Sequence, residues 1–214
     1  SNPDEEDAIS LMSAIYANTI TTHIQKHLSL EKQPEQNLSQ EIIRLQNQVE
    51  KLKKLQNADG SFSWWKGMKG CRYMTTSVAE MMVRLNAVAG VQKSTAKMLT
   101  SAINYLSWQT AQEVREMKKQ EEKKHKVSPS EQALHYLYIL SMDGRKMKQN
   151  QEADKSYLLE KMSKMTGDFT IYGKARAAVV LAKNSQQNAD YREKAGEYLQ
   201  SVNEYAVYRE EMGR

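Results

Sequence analysis

The stretch LQNADGSFSWWKGMKGCRY, residues 55–73, interrupts a chain whose remaining pattern is helical. It gathers two adjacent tryptophans, three glycines and the sole cysteine. Asp59-Gly60 is a turn signal, because glycine reaches positive φ without a Cβ clash. Two readings of the segment stand side by side. In one, Asp59 and Gly60 shape a tight turn, while Phe62 and one tryptophan are buried over the start of the next helix. In the other, Trp64, Trp65, Lys66 and Tyr73 form an exposed platform, paired aromatics beside a cation, that grips a sugar ring, a peptide or a partner domain. Burial preferences favour the first, and both hold if one tryptophan faces inward and the other outward.

Working outward, apolar spacing predicts about eight helices. The first covers roughly 5–27, with Ile9, Met12, Tyr16, Ile20 and Ile24 in line, and a polar linker around Pro34 follows. The second, about 36–55, carries Leu38, Ile42, Leu45, Val49 and Leu52. A third, 74–89, presents Val78, Met81, Met82, Leu85 and Val88 and stops at Gly90. The fourth starts near Ser94 with Leu99, Ile103 and Leu106 and thins out through EVREMKKQEEKKHK. Ser128-Pro129, with Glu131 three residues after the serine, predicts the N-cap and first turn of a fifth helix. That helix holds Ala133, Leu137 and Leu140 on one line, with Leu134 and Tyr138 beside it. The sixth, about 150–165, shows Leu158, Leu159, Met162 and Met165. The seventh, 172–183, is apolar nearly all round and is expected between neighbours; the eighth spans about 188–209. Short connections favour antiparallel neighbours, so the expected class is all-α, one domain over 1–214.

Composition agrees. Three prolines, nine glycines and few β-branched runs suit helices. A chain of 214 residues buries roughly 70% of its unfolded surface and needs no disulfide or metal to fold. One cysteine excludes an internal disulfide framework and any cysteine-based zinc cluster. The net charge of +5 is spread among both signs and says little about fold. No apolar run approaches the ~20 residues of a membrane span.

Other chemistry-bearing residues read blandly. The run KKQEEKKHK, 118–126, has acids at helical spacings and no interleaved aromatics, so it is a solvated helix end rather than a nucleic-acid site. His23 and His27 have an i, i+4 spacing that can hold zinc, but no third ligand accompanies them, and no metal or cofactor is expected. His135 sits on an apolar line as a hydrogen-bonded core residue, and Glu121, Glu122, Glu210 and Glu211 read as exposed-face charges. Cys71 has cationic neighbours, Lys69 and Arg72, but no nearby His or Asp in sequence, so a lone loop thiol is the better reading than a catalytic one.

The segment LQNADGSFSWWKG resembles the Gln-Asn-x-Asp-Gly-(Gly/Ser)-(Phe/Trp)-x-Trp-(Trp/Phe) element in the thioester domain of bacterial α-2-macroglobulins. SAIYAN (13–18), ALHYLY (133–138) and YGKARAAVVLA (172–182) with SVNEYA (201–206) and EEMG (210–213) are similar to further pieces of that domain, in the same order. The resemblance implies an α/α toroid, of which this chain would be the first two-thirds or so. The Gln-x-x-Asp-Gly-Ser-(Phe/Trp) element also recurs in toroids such as terpene cyclases and prenyltransferases.

Reactive members of the family carry Cys-x-Glu-Gln about eleven residues before the Asn of Tyr-Ala-Asn. Counting back from Asn18 puts Asp7, Ile9 and Ser10 at the cysteine, glutamate and glutamine positions, and residues 1–20 contain neither Cys nor Gln. Cys71 has Met74 rather than Gln at i+3. The thioester is therefore expected to be lost. What the resemblance implies is a non-enzymatic part of a protease trap of the periplasm or cell surface. Its partners would be other domains of the parent chain and target proteases, with membrane contact only through that parent. An interaction scaffold in a surface assembly is the alternative. A toroid enzyme acting on isoprenoids or glycans would want an Asp-x-Asp-Asp-like motif, which this sequence lacks. The opening Ser1-Asn2, without Met, reads as the remnant of a cleaved tag, so a piece of a longer chain is expected, and an exposed apolar edge on it would favour dimers.

Overall fold

The computed structural model describes residues 6–27, 35–166, 169–186 and 188–213, with the backbone alone for 35–38. The linker around Pro34 and the side chain of Leu38 lie outside the described residues. The described residues form eight helices and no strand beyond one isolated bridge: α1 (Ala8–His27), α2 (Glu35–Lys53), α3 (Arg72–Ala89), α4 (Ala96–Glu122), α5 (Glu131–Asp143), α6 (Gln149–Ser163), α7 (Ile171–Lys183) and α8 (Ala189–Met212). None is long and apolar enough to cross a membrane. Backbone contacts divide the chain into two compact units, Ser1–Leu106 and Ser107–Arg214, with the division inside α4.

In the first unit α1 packs against both α2 and α3. Its buried side chains are Ala8, Leu11, Met12 and Ile15, a different line from the expected one: Ile9, Tyr16 and Ile20 are half-buried and Ile24 is exposed. The reason is geometric. Successive four-residue steps drift about 40° each around an α-helix, so the line from Met12 to Ile24 winds off the face that begins it. Further along, α1 turns polar: Asn18 donates to Gln48 Oε1 at 3.0 Å, and Thr21 and Thr22 return their hydroxyls to their own helix. Opposite that polar surface the α2 stripe loses its cover. Val49 and Leu52 are buried, Leu45 is half-buried, and Ile42 is exposed. The α3 stripe is buried at Val78, Met82 and Leu85, while Val88 near the Gly90 C-cap is exposed.

In the second unit α7 packs against α8 and α5, and α6 touches all three. Two carboxylates fix helix starts. Glu113 of α4 accepts from the Ser130 amide (2.8 Å) and hydroxyl (2.9 Å), and Ser130 in turn caps α5 by accepting from the Ala133 amide at 3.1 Å. The cap is therefore Ser130 and not Ser128. Pro129 is buried in front of it, and the hydroxyl at 130 alone has a second partner waiting on α4. Glu131, in the first turn of α5, accepts from the amide and hydroxyl of Thr170 (hydroxyl 3.0 Å), the N-cap of α7. A carboxylate at a helix N-terminus faces unpaired amides and the positive end of the helix dipole, so both contacts are favourable. α7 buries Ala177, Ala178, Val180 and Leu181, while Val179 and Tyr172 are exposed, so it is covered on one side rather than all round.

Glu121 is a further departure. It is not a free surface charge: Tyr157 of α6 donates to it, and Lys161 Nζ lies 2.9 Å away. The Tyr157 hydrogen bond first, and the Lys161 one next, hold the Glu121 carboxyl below its ordinary range. Burial, then the bond to Glu121, pushes the Tyr157 phenol well up. Lys118 and Lys161 stand 5.1 and 5.3 Å from the Tyr157 ring centre. The start of the basic run is thus tied to α6, and Glu122 and residues 123–126 are exposed.

The clamp at α7 yields a paired prediction. A Cβ on Gly173 would lie 2.6 Å from Glu131 Oε1 and 3.0 Å from the Phe169 Cβ, whereas one on Gly196 of α8 would meet nothing within 4 Å. Gly173→Ala should cost about 1–3 kcal/mol through overpacking, and Gly196→Ala should stabilise by about 0.5–1 kcal/mol through reduced chain entropy. Urea unfolding of the two variants checks both signs.

Candidate functional site

The segment between α2 and α3 is built as a hydrogen-bonded knot with an aromatic crown. The Asn57 amide donates to the Ser61 carbonyl at 2.8 Å and the Gly60 amide to the Asn57 carbonyl at 2.9 Å, which closes the turn and pairs Gln56 with Phe62 antiparallel. Gly60 has φ +90°, and a Cβ there would stand 2.1 Å from the Ser101 carbonyl oxygen of α4. Only glycine fits on both counts. Asp59 Oδ1 accepts from the Ser61 amide (2.9 Å) and hydroxyl (2.6 Å), an Asx-type arrangement that holds the turn without the side chain leaving the surface.

Gln56 links the turn to α4. Its Nε2 donates to the Gly60 carbonyl at 3.0 Å and to the Met98 carbonyl at 2.9 Å, tying the turn to the first residues of α4. On the opposite side the Phe62 amide donates to Thr75 Oγ1 of α3 at 2.9 Å, and the Cys71 amide donates to the Phe62 carbonyl at 3.1 Å. Phe62 is fully buried, and Ser61, Ser63 and Thr75 are buried polar groups bonded within this knot. Cys71 is the N-cap of α3, its Sγ accepting from the Met74 amide at 3.4 Å. That gives the thiol a structural position at a helix start.

From Trp64 to Lys69 every side-chain-bearing position is exposed. Both tryptophans are at the surface, Trp64 at 37% and Trp65 at 42%, so the inward aromatic is Phe62 alone. This corrects the expectation of one buried tryptophan. The alternation explains it: Phe62 is held inward by bonds to its amide and carbonyl, and the pairing of the Ser63 amide with the Leu55 carbonyl at 3.1 Å is the last that anchors the strand-like stretch. The Trp64 ring lies 6.1 Å from Trp65 and is stacked on Tyr73 at 6.5 Å with 21° between planes. Trp64, Trp65, Lys66 and Tyr73 are thus brought to one surface, and Met68 is exposed beside them. Asp59, Gly60 and Phe62 form the base that presents them.

At Asp7, Ile9 and Ser10 the chain builds a helix start. Asp7 accepts from the Ser10 amide at 2.8 Å and from the Ser10 hydroxyl at 3.0 Å, a cap for the start of α1, and Ile9 is half-buried. His27 Nδ1 is 2.9 Å from the His23 carbonyl, and their rings stand 4.2 Å apart. Among the described residues no three His, Cys, Asp or Glu side chains gather as a metal site requires. Sequence reasoning missed Gln56 as the double donor and Thr75 as the anchor of Phe62. The one available signal was Gln56 itself, a polar residue following buried Leu55 at the end of an amphipathic stripe.

No family model, no curated protein and no solved structure matches this chain.

The division between base and crown is testable. Phe62→Ala should lower stability by about 3–5 kcal/mol, whereas Trp64→Ala should cost under about 1 kcal/mol, since exposed substitutions usually do. Equal losses in guanidinium unfolding would contradict the assignment of Trp64 to the surface.

Proposed function

We propose that this chain is the thioester-lacking helical region of a bacterial α-2-macroglobulin-like protein, part of an α/α toroid, and that it contributes by contact rather than catalysis to a broad-spectrum protease trap of the cell envelope. The observation that carries the reading is the segment QNADGSFSWW, whose order along the chain with YAN, ALHYLY and YGKARAAVVLA parallels that family's domain. Its folded form supports a contact role: a base locked by Gln56, Gly60 and Phe62 presents two tryptophans and a tyrosine to solvent. The residues matched to the reactive centre support the non-covalent part, because Asp7 and Ser10 are engaged in capping α1 and the Cys71 sulfur in capping α3. Fold analogy speaks more to architecture than to activity, so the test addresses activity directly.

A second reading, an interaction scaffold in a cell-surface assembly, is favoured by the same exposed aromatics and requires no trap. The two part in one assay. The parent protein is mixed with a broad-specificity protease, and a small chromogenic peptide and a large protein substrate are followed together. Trapping predicts surviving peptide cleavage with protein digestion reduced at least tenfold. Unchanged rates on both substrates would reject the trap for that protease and leave the scaffold.

A further inference from the structure

We propose that the hollow beside Trp65 is a docking site for an acidic peptide segment that carries an apolar side chain. The hollow encloses about 200 Å³ and is lined by Leu11 of α1, Leu55 at the end of α2, and Trp65. Lys51, Lys54, Lys66 and Glu6 complete the lining. Leu11 and Leu55 are almost fully buried and form the floor of the hollow, while Trp65, 42% exposed, forms one wall. The volume is below the roughly 300–1,000 Å³ of small-molecule sites, so it accepts a side chain rather than a whole metabolite.

Charge selects the occupant. Three lysines face one glutamate around the recess, and that glutamate lies 3.9 Å from Lys51. Among the described residues Lys54 and Lys66 make no ion pair, and Glu50, four residues before Lys54, lies 2.7 Å from Lys53. An apolar side chain entering between Leu11, Leu55 and Trp65 would place flanking carboxylates within reach of Lys54 and Lys66. Ammonium groups at a rim raise association rates and discriminate by sign, while the aromatic and aliphatic recess supplies the anchor. The recess is half-open, and among the described residues Trp65 is its single lining ring, Trp64 and Tyr73 standing outside it, so it fits one side-chain anchor of a peptide better than a run of stacked bases. This deepens the contact role proposed above by giving its partner a chemistry.

The experiment uses the intact 214-residue chain and a fluorescein-labelled peptide, Glu-Glu-Leu-Glu-Glu, read by anisotropy. Its controls are Lys-Lys-Leu-Lys-Lys and Glu-Glu-Gly-Glu-Glu. Saturable binding of the first is expected, at least tenfold tighter than either control and weakening as salt is raised. The double variant Lys54→Glu/Lys66→Glu should lose tenfold or more, and Trp65→Ala a comparable amount. Trp108→Ala, at an exposed tryptophan on α4, should bind as the parent does. Helical circular dichroism confirms that each variant is folded, and both substituted positions are exposed. Equal binding of the lysine peptide, an unaffected double variant, or no binding of the first peptide at millimolar concentration would each overturn the proposal. So would displacement of the peptide by a single-stranded oligonucleotide at lower concentration. Failure here with protease caging intact in the parent rejects the docking site alone; docking without caging leaves the site and rejects the trap.

Discussion

One carboxamide ties the turn between α2 and α3 to the start of α4. Gln56 spends both hydrogens of its Nε2 on backbone carbonyls, one on Gly60 within the turn and one on Met98 at the start of α4. The Gly60 carbonyl lies in a tight turn outside any helix, whereas the Met98 carbonyl sits in the first turn of α4, where the helix can supply its own i+4 amide, so the bond to Met98 is chiefly a tie between segments. Leaving the Gly60 carbonyl unsatisfied would cost about 1–3 kcal/mol. The carboxamide also sets a distance. With Gly60 drawn against Ser101, the turn can carry no Cβ, which is why the Gln-Asn-x-Asp-Gly order matters as a unit. Phe62 then has its direction decided for it, amide to Thr75 and carbonyl to Cys71, and the two tryptophans that follow are left outside.

Much of this was legible in the sequence, and the shortfalls have physical causes. Helix number and approximate limits followed from apolar spacing, because a period near 3.6 is imposed by backbone geometry and survives any tertiary arrangement. Which line of a helix is buried depends on where its neighbours lie. In α1 the neighbours α2 and α3 select Ala8, Leu11, Met12 and Ile15 over the equally periodic Ile9, Tyr16, Ile20 and Ile24. In α5 the sequence pattern pointed to Ser128 as the N-cap, and a carboxylate on another helix selects Ser130 instead. Glu121 could not be told from Glu122 until α6 supplied Tyr157 and Lys161.

The site shows the same division. Asp59-Gly60 announced a turn by its own chemistry, and the turn's backbone follows it. The fate of the three aromatic positions did not follow from hydrophobicity alone, since Phe62, Trp64 and Trp65 all carry large apolar rings, even though phenylalanine is the more often fully buried. Hydrogen bonds to Phe62 from residues 9 and 13 positions away settle which one goes in. The consequence for function is that the exposed rings rest on a rigid base rather than on a free loop. A partner meeting them loses little to ordering, which is the condition under which a small aromatic patch becomes an effective contact.

The most direct test of this account is amide hydrogen exchange on Gln56→Leu, which keeps the side chain's bulk and removes its donors. The account predicts that the amides of Gly60, Phe62 and Cys71 exchange at least tenfold faster than in the parent, while Val78 and Ala79 in the middle of α3 keep their protection. Unchanged exchange at Phe62 and Cys71 would contradict it, and would mean that buried apolar contacts alone hold the turn against α4.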